Sequence, residues 1–341
     1  MNDNITSNLL KTTSILLIGK FAIQLANFLL LPVYTSVLTL ADYGTIELYN
    51  TLSMIIVPII TLQIEQAIFR RLLIANSKKE KEEIIASALY TVGITVTIFS
   101  CIYIFFTSFI NIENKKIIYF YYVSMIPLPI LQQICRGYQE NIKYTLGTFI
   151  NSLSIILITI LLVIQFHLGI IGVLCGSILG NLVGFIYYLY VIKQRIKIRF
   201  GRYNKTIAYS MLIYSVPLIL NQFSSWIINY SDRWLIVSIL GLQANGLYAI
   251  ANKFFLLPMT FFNVYNLAWT ENIIVVIKKY GYSDFINLIL NFTAHIYLLF
   301  INFLLLILPY LFPVLIKPDF RLAFYHIPIL LLAAFLVEWQ L

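Results

Sequence analysis

Two stretches of this sequence, 84–110 and 144–166, each run for more than twenty residues without a single charged side chain. In water such runs would have to be buried whole. A chain that is 60% apolar and only 11% charged has too little polar surface to bury them. Lipid as the solvent removes the difficulty, because a helix satisfies its own backbone and needs about 20 apolar residues to cross the hydrocarbon core. Ten segments meet that requirement, roughly 12–38, 45–69, 84–110, 117–135, 144–166, 170–192, 206–230, 246–270, 285–316 and 321–341. The expected fold class is therefore an all-α polytopic membrane protein. After 206–230, Asp232 and Arg233 are followed by the apolar stretch Trp234–Leu242, which either extends the seventh helix or re-enters the membrane from the outer face.

The charges between these segments carry orientation. With the N-terminus in the cytoplasm, sixteen Lys and Arg fall in cytoplasmic loops and five in outer ones, the bias that positive-inside topology requires. The net charge of +9 is thus explained by loops, and nucleic-acid binding is not expected. Cys101, Cys135 and Cys175 lie in or at the ends of apolar runs without metal-ligand spacing and read as small buried hydrophobes. The first apolar run is too long for a signal peptide and lacks a cleavage site, so it reads as the first membrane helix.

The pattern around Gly44 recurs around Gly246 at an offset of 202 residues, with Leu40 matching Leu242, Ser36 matching Ser238 and Asn50 matching Asn252. An offset spanning six helices keeps both copies in the same orientation. It predicts two parallel-repeat lobes, six helices and at least four, around a central cavity, an architecture of transporters. The domains expected are an N-terminal lobe 1–192, a basic cytoplasmic linker 193–205 and a C-terminal lobe 206–341, the last seemingly truncated because nothing matches helices five and six.

Polar groups within the spans are the functional candidates. Lys20 lies about 12 Å into the first helix at 1.5 Å per residue, and its repeat partner is Gln222. Lys253 lies in the eighth helix opposite Thr51. Two readings fit these lysines: cations facing a cavity and holding an anionic ligand such as a diphosphate, or, for Lys253, snorkelling to the headgroups. Glu65 and Glu271 lie toward the inner ends of helices two and eight. They are either coupling-cation sites or, for Glu65, a salt-bridge partner of Arg70 or Arg71. Gly172, Gly176, Gly180 and Gly184 form a stripe at four-residue spacing that suits close helix packing within the chain. Prolines recur in the matching helices two and eight (Pro58, Pro258), as hinges or as breaks that membrane helices tolerate. His167, His295 and His326 are scattered, no phosphate-binding loop occurs, and no carboxylate and histidine cluster suggests catalysis. No enzyme activity, metal or cofactor is expected.

Asp232-Arg233-Trp234-Leu235 followed by Gly246-Leu247-Tyr248-Ala249 resembles the signature of polysaccharide-repeat flippases of the multidrug/oligosaccharidyl-lipid/polysaccharide exporter superfamily. Asp42-Tyr43-Gly44, the close of helix two from Glu65 to Arg70, and Arg136-Gly137-Tyr138-Gln139 after helix four are similar to further segments of that family. The resemblance implies a multi-pass protein of the bacterial inner membrane with two six-helix lobes. By alternating access it would move an undecaprenyl-diphosphate-linked oligosaccharide to the outer leaflet for O-antigen or capsule synthesis. It also implies cavity cations for the diphosphate, for which Lys20, Lys253 and Arg233 are candidates, with Asp232 and Arg70 as coupling or salt-bridge groups. Expected partners are the lipid-linked oligosaccharide, membrane lipids, and the polymerase and chain-length proteins of the pathway. The alternatives are a drug/cation antiporter of the same superfamily and a truncated membrane protein that transports nothing.

Overall fold

Thr39 and Asp42 start the first long helix as a reciprocal cap: the Asp42 amide donates to the Thr39 hydroxyl and the Thr39 amide to the Asp42 carboxylate, each at 3.1 Å. The computed structural model describes residue 28 and residues 30–110, 113–196, 202–280 and 284–339, without the side chains of 195–196, 261, 263–280, 284–290 and 337–339. In chain order the helices are α1 (Leu31–Val37), α2 (Leu40–Thr61), α3 (Ile64–Ile74), α4 (Lys78–Phe109), α5 (Lys115–Met125), α6 (Pro127–Gly137) and α7 (Asn141–Ile160). They continue as α8 (Gly169–Val191), α9 (Lys205–Leu240), α10 (Leu242–Tyr280), α11 (Asp284–Leu315) and α12 (Ile327–Trp339). A 3₁₀ stretch, Pro318–His326, leads into α12. Among the described residues there is no strand, and eight helical stretches are long and apolar enough to cross a membrane. The chain is an all-α, multi-pass membrane protein.

The helices differ from the ten expected segments in instructive ways. Segment 45–69 begins at Leu40, where the cap sets it, and breaks after Thr61. Pro58 has no amide to donate, and beyond it Leu62 and Gln63 adopt left-handed backbone (φ 52° and 53°), the Gln63 amide reaching back to the Pro58 carbonyl at 3.2 Å. Segment 117–135 is two helices meeting at Ile126, with Pro127 at the first position of α6, where a missing amide costs nothing. The stretch after Asp232 and Arg233 does not re-enter: α9 runs unbroken to Leu240, and Gly241 (φ 86°) makes the turn into α10. Segment 246–270 lies inside α10, a 39-residue helix. The segment 12–27 lies outside the described residues.

Contacts divide the chain into two units, Leu48–Leu235 in one and, in the other, Ile236–Leu341 with the described part of Gln24–Glu47. Both boundaries fall within helices. In the first unit, α8 packs on α7 along its glycines. A Cβ on Gly180 would lie 2.6 Å from the Ile155 amide nitrogen, and one on Gly184 2.8 Å from the Asn151 Cβ. Asn151 donates to the Gly180 carbonyl (3.2 Å) and to Asn181 Oδ1 (3.1 Å), so the close approach also satisfies buried amides. The apolar core of this unit gathers Ile64, Ile68 and Leu72 of α3, Ile84 and Ala88 of α4, Ile130 and Ile134 of α6, and Tyr188 of α8. In the second unit, Phe28 meets Phe254 edge-on (5.2 Å), Tyr43 meets Phe320 (6.3 Å), and Lys317 donates to the Ser36 carbonyl at 3.1 Å.

Candidate functional site

Gly44 and Gly246, the pair at the heart of the repeat, touch each other. A Cβ on Gly44 would run into the Leu242 carbonyl and lie 3.0 Å from the Gly246 amide nitrogen, while a Cβ on Gly246 would run into the Leu40 carbonyl. Leu40 and Leu242 are themselves repeat partners. The contact is therefore reciprocal: the first copy's leucine carbonyl meets the second copy's glycine, and the reverse, as a two-fold relation requires. Only glycine lets the backbones of α2 and α10 approach this closely. The crossing is pinned by Asn245, which is fully buried and donates to the Gly44 carbonyl at 2.7 Å.

One turn further along α2, Glu47 receives Lys253 of α10 in an ion pair at 2.9 Å, the carboxylate buried (side chain 6% exposed) and the ammonium partly so (25%). The repeat makes Lys253 the equivalent of Thr51, a position without charge in the first copy. The Lys253 charge is thus met by a carboxylate. Sequence reasoning overlooked Glu47, although the rule that flags an ionisable group inside a span applies to it as much as to Lys253.

In the first unit, Thr51 is the meeting point. Arg233 is buried and donates to the Thr51 hydroxyl at 3.3 Å, with its guanidinium 5.9 Å from the Tyr230 ring centre. Trp226 donates its indole N–H to the Thr51 carbonyl at 2.9 Å, so it packs against α2 and not only at a membrane interface. Asp232 accepts from the Arg233 amide (2.8 Å). Gln222, on the same helix, reaches Gln63 at the break between α2 and α3 (3.5 Å) and the Met54 carbonyl (3.4 Å).

Glu65 is buried beside that break, and one carboxylate oxygen has no hydrogen-bond partner among the described residues. Arg70 does not pair with it; its guanidinium lies over the Tyr214 ring at 4.6 Å. In the Arg136-Gly137-Tyr138-Gln139 segment, Arg136 lies over Phe69 (4.6 Å), and Gly137 admits Leu72, which a Cβ would meet at 2.7 Å. Lys81 lies over Tyr138, whose hydroxyl is pushed up to about 12 by burial and by the charge of Glu82. That segment ends α6 and packs it; Gln139 takes the left-handed turn (φ 61°). Lys20 and the side chain of Glu271 lie outside the described residues. No group of metal-ligating side chains occurs among the described residues.

The fold is shared with solved transporters. One structure is a multidrug resistance MATE family transporter of the MOP superfamily in an inward-facing conformation, 17% identical (TM-score 0.64), covering 95% of this chain and 84% of that one. A Vibrio cholerae MATE transporter in the bent form is 15% identical (TM-score 0.55), covering 99% and 84%. A MOP superfamily transporter from Pyrococcus furiosus, described as having a binding pocket of reverse polarity, is 14% identical (TM-score 0.53), covering 97% and 82%. No curated protein matches the chain. Residues 9–270 match the family described as polysaccharide biosynthesis protein, a span that includes the whole Gly44–Gly246 crossing and the Glu47–Lys253 pair, so this chain, built on the fold of MATE transporters, belongs to the polysaccharide biosynthesis protein family.

Proposed function

We propose that this protein is a flippase that carries a diphosphate-linked oligosaccharide lipid across the membrane for surface polysaccharide synthesis, by alternating access between two repeat-related lobes. The observation that supports it most is the reciprocal crossing of α2 and α10. It holds repeat-related segments together through a pair of glycines, the Asn245 hydrogen bond and the Glu47–Lys253 ion pair, contacts that can part and re-form. Membership of a polysaccharide biosynthesis family supports a saccharide-bearing cargo. Lys20 remains the cation proposed for the diphosphate, a compact charge suited to phosphate. Lys253 has a further duty in this reading: paired with Glu47, it stabilises the conformation in which the crossing is closed. The bacterial inner membrane and a cytoplasmic N-terminus belong to the same proposal, as do O-antigen or capsule as product and a polymerase as partner.

A drug/cation antiporter is the second reading, favoured by Glu65, because a buried carboxylate oxygen without a partner is what cation coupling needs. The separating experiment reconstitutes the protein in vesicles with a fluorescent lipid-linked oligosaccharide in one arm and a cationic dye in the other. Lipid translocation that is lost in Lys20→Ala and partly kept in Lys20→Arg supports the flippase. Dye extrusion driven by a cation gradient and lost in Glu65→Gln, without lipid movement, contradicts it.

A further inference from the structure

A cavity of about 740 Å³ opens in the first unit between α4, α6 and α8. Its walls include Ile85, Gly93, Ile130, Phe185 and Leu189, and Lys193 is the only charged residue lining it; every other lining residue is apolar. Along α4 it runs from Ile85 to Val96, roughly 16 Å at 1.5 Å per residue. Gly93 gives it depth: a Cβ there would meet nothing within 4 Å. Lys193 begins the basic segment Lys193–Lys205. The far end of that segment is tied to the start of α4 by the Asn204 amide donating to the Ser87 hydroxyl (3.0 Å) and the Asn204 side chain donating to Glu83 (3.1 Å). The cation therefore sits at the end of the groove nearest the basic segment, with hydrocarbon-like walls leading away from it.

We propose that this groove holds one acyl chain of an anionic phospholipid, with the lipid phosphate on Lys193. The volume lies in the range of ligand-binding cavities, about 300–1,000 Å³. The walls match a hydrocarbon chain, and one lysine at the mouth is complementary to one phosphate. A glycan-diphosphate would need further cations or sugar-binding polar groups, and the lining offers neither, so on the proposed function this site is distinct from the one that holds the glycan-diphosphate.

The test uses the whole protein, purified in detergent and given equal amounts of palmitoyl-oleoyl phosphatidylglycerol and phosphatidylcholine, with retained lipid read by native mass spectrometry. The expected result is preferential retention of phosphatidylglycerol. Lys193→Gln should lower the ratio of the two lipids about fivefold, the worth of one lysine near an anionic headgroup. Gly93→Phe should remove retention of both, and an unchanged unfolding temperature shows that this variant still folds. If Gly93→Phe does not fold, the Lys193→Gln ratio decides alone. Equal retention by the wild type and a folded Gly93→Phe variant, or an unchanged ratio in Lys193→Gln, overturns the proposal. So does retention of an added polyprenyl monophosphate with rejection of phosphatidylglycerol.

Discussion

Two of the helix contacts that rely on glycine are built differently. Along α7 and α8 four glycines follow one another for three turns, and a Cβ on Gly176 or Gly180 would strike main-chain atoms of Thr159 or Ile155 at 2.6–2.9 Å. Amides buried between the helices, Asn151 and Asn181, bond to each other. Between α2 and α10 there is a crossing with a glycine on each side, and its attachments include the Asn245 amide bond and the Glu47–Lys253 ion pair. A contact repeated over several turns in lipid has no low-energy way to open, whereas a single crossing does. On the proposed function the first joins helices permanently and the second is the contact that cycles.

The largest effect is expected in the permanent contact. Gly180→Leu should abolish accumulation of folded protein, and Gly180→Ala should cost about 1–3 kcal/mol, the usual cost of overpacking, read as a lowered unfolding temperature and a smaller monodisperse peak. Gly44→Ala should behave otherwise. Its Cβ is obstructed only while the crossing is closed, so the strain falls on one conformation and moves the population away from it by roughly 5–150-fold for 1–3 kcal/mol. The protein should still be made at normal level, while cross-linking across the crossing falls. A Gly44→Ala variant that fails to fold would erase the distinction between the two contacts.

The ion pair gives an intermediate effect. Lys253→Met alone takes the ammonium from the buried Glu47 carboxylate and should destabilise the protein by about 3–5 kcal/mol at most. Adding Glu47→Gln should recover most of that loss, because two neutral groups replace one stranded charge. Equal stability of the single and double variants would show that the two residues are not coupled. Smallest is Thr51→Val, which takes one hydroxyl from Arg233 and should cost about 1–2 kcal/mol, the upper range for polar contacts between membrane helices. It should leave the cross-linking of the α2–α10 crossing unchanged.

Much of this was legible in the sequence. Charge-free runs and the 202-residue repeat predict a polytopic helical protein with two related halves, and they mark Gly44 and Gly246 before any contact between them is known. The break at Leu62 and Gln63 was not legible, since Pro58 and Pro258 both lie inside helices and only α2 ends soon after its proline. Proline permits a break; whether the chain takes it depends on neighbours such as Gln222 that accept the freed polar groups. The Glu47–Lys253 pair was hidden for a different reason. Repeat symmetry sets Lys253 at the position equivalent to Thr51 and says nothing of the side chain it meets; the Glu47 carboxylate, one turn before Thr51, attracts the ammonium in a low-dielectric setting.

The most direct measurement cross-links the crossing itself. In a chain with Cys101, Cys135 and Cys175 replaced by serine, Glu47→Cys and Lys253→Cys are joined by a short reducible thiol cross-linker, and translocation of a lipid-linked oligosaccharide is followed in vesicles before cross-linking, after it, and after reduction. The expected result is transport that stops when the two positions are joined and returns when the link is cut. Undiminished transport with the positions fully cross-linked would show that the crossing never has to open, and would contradict its role in alternating access.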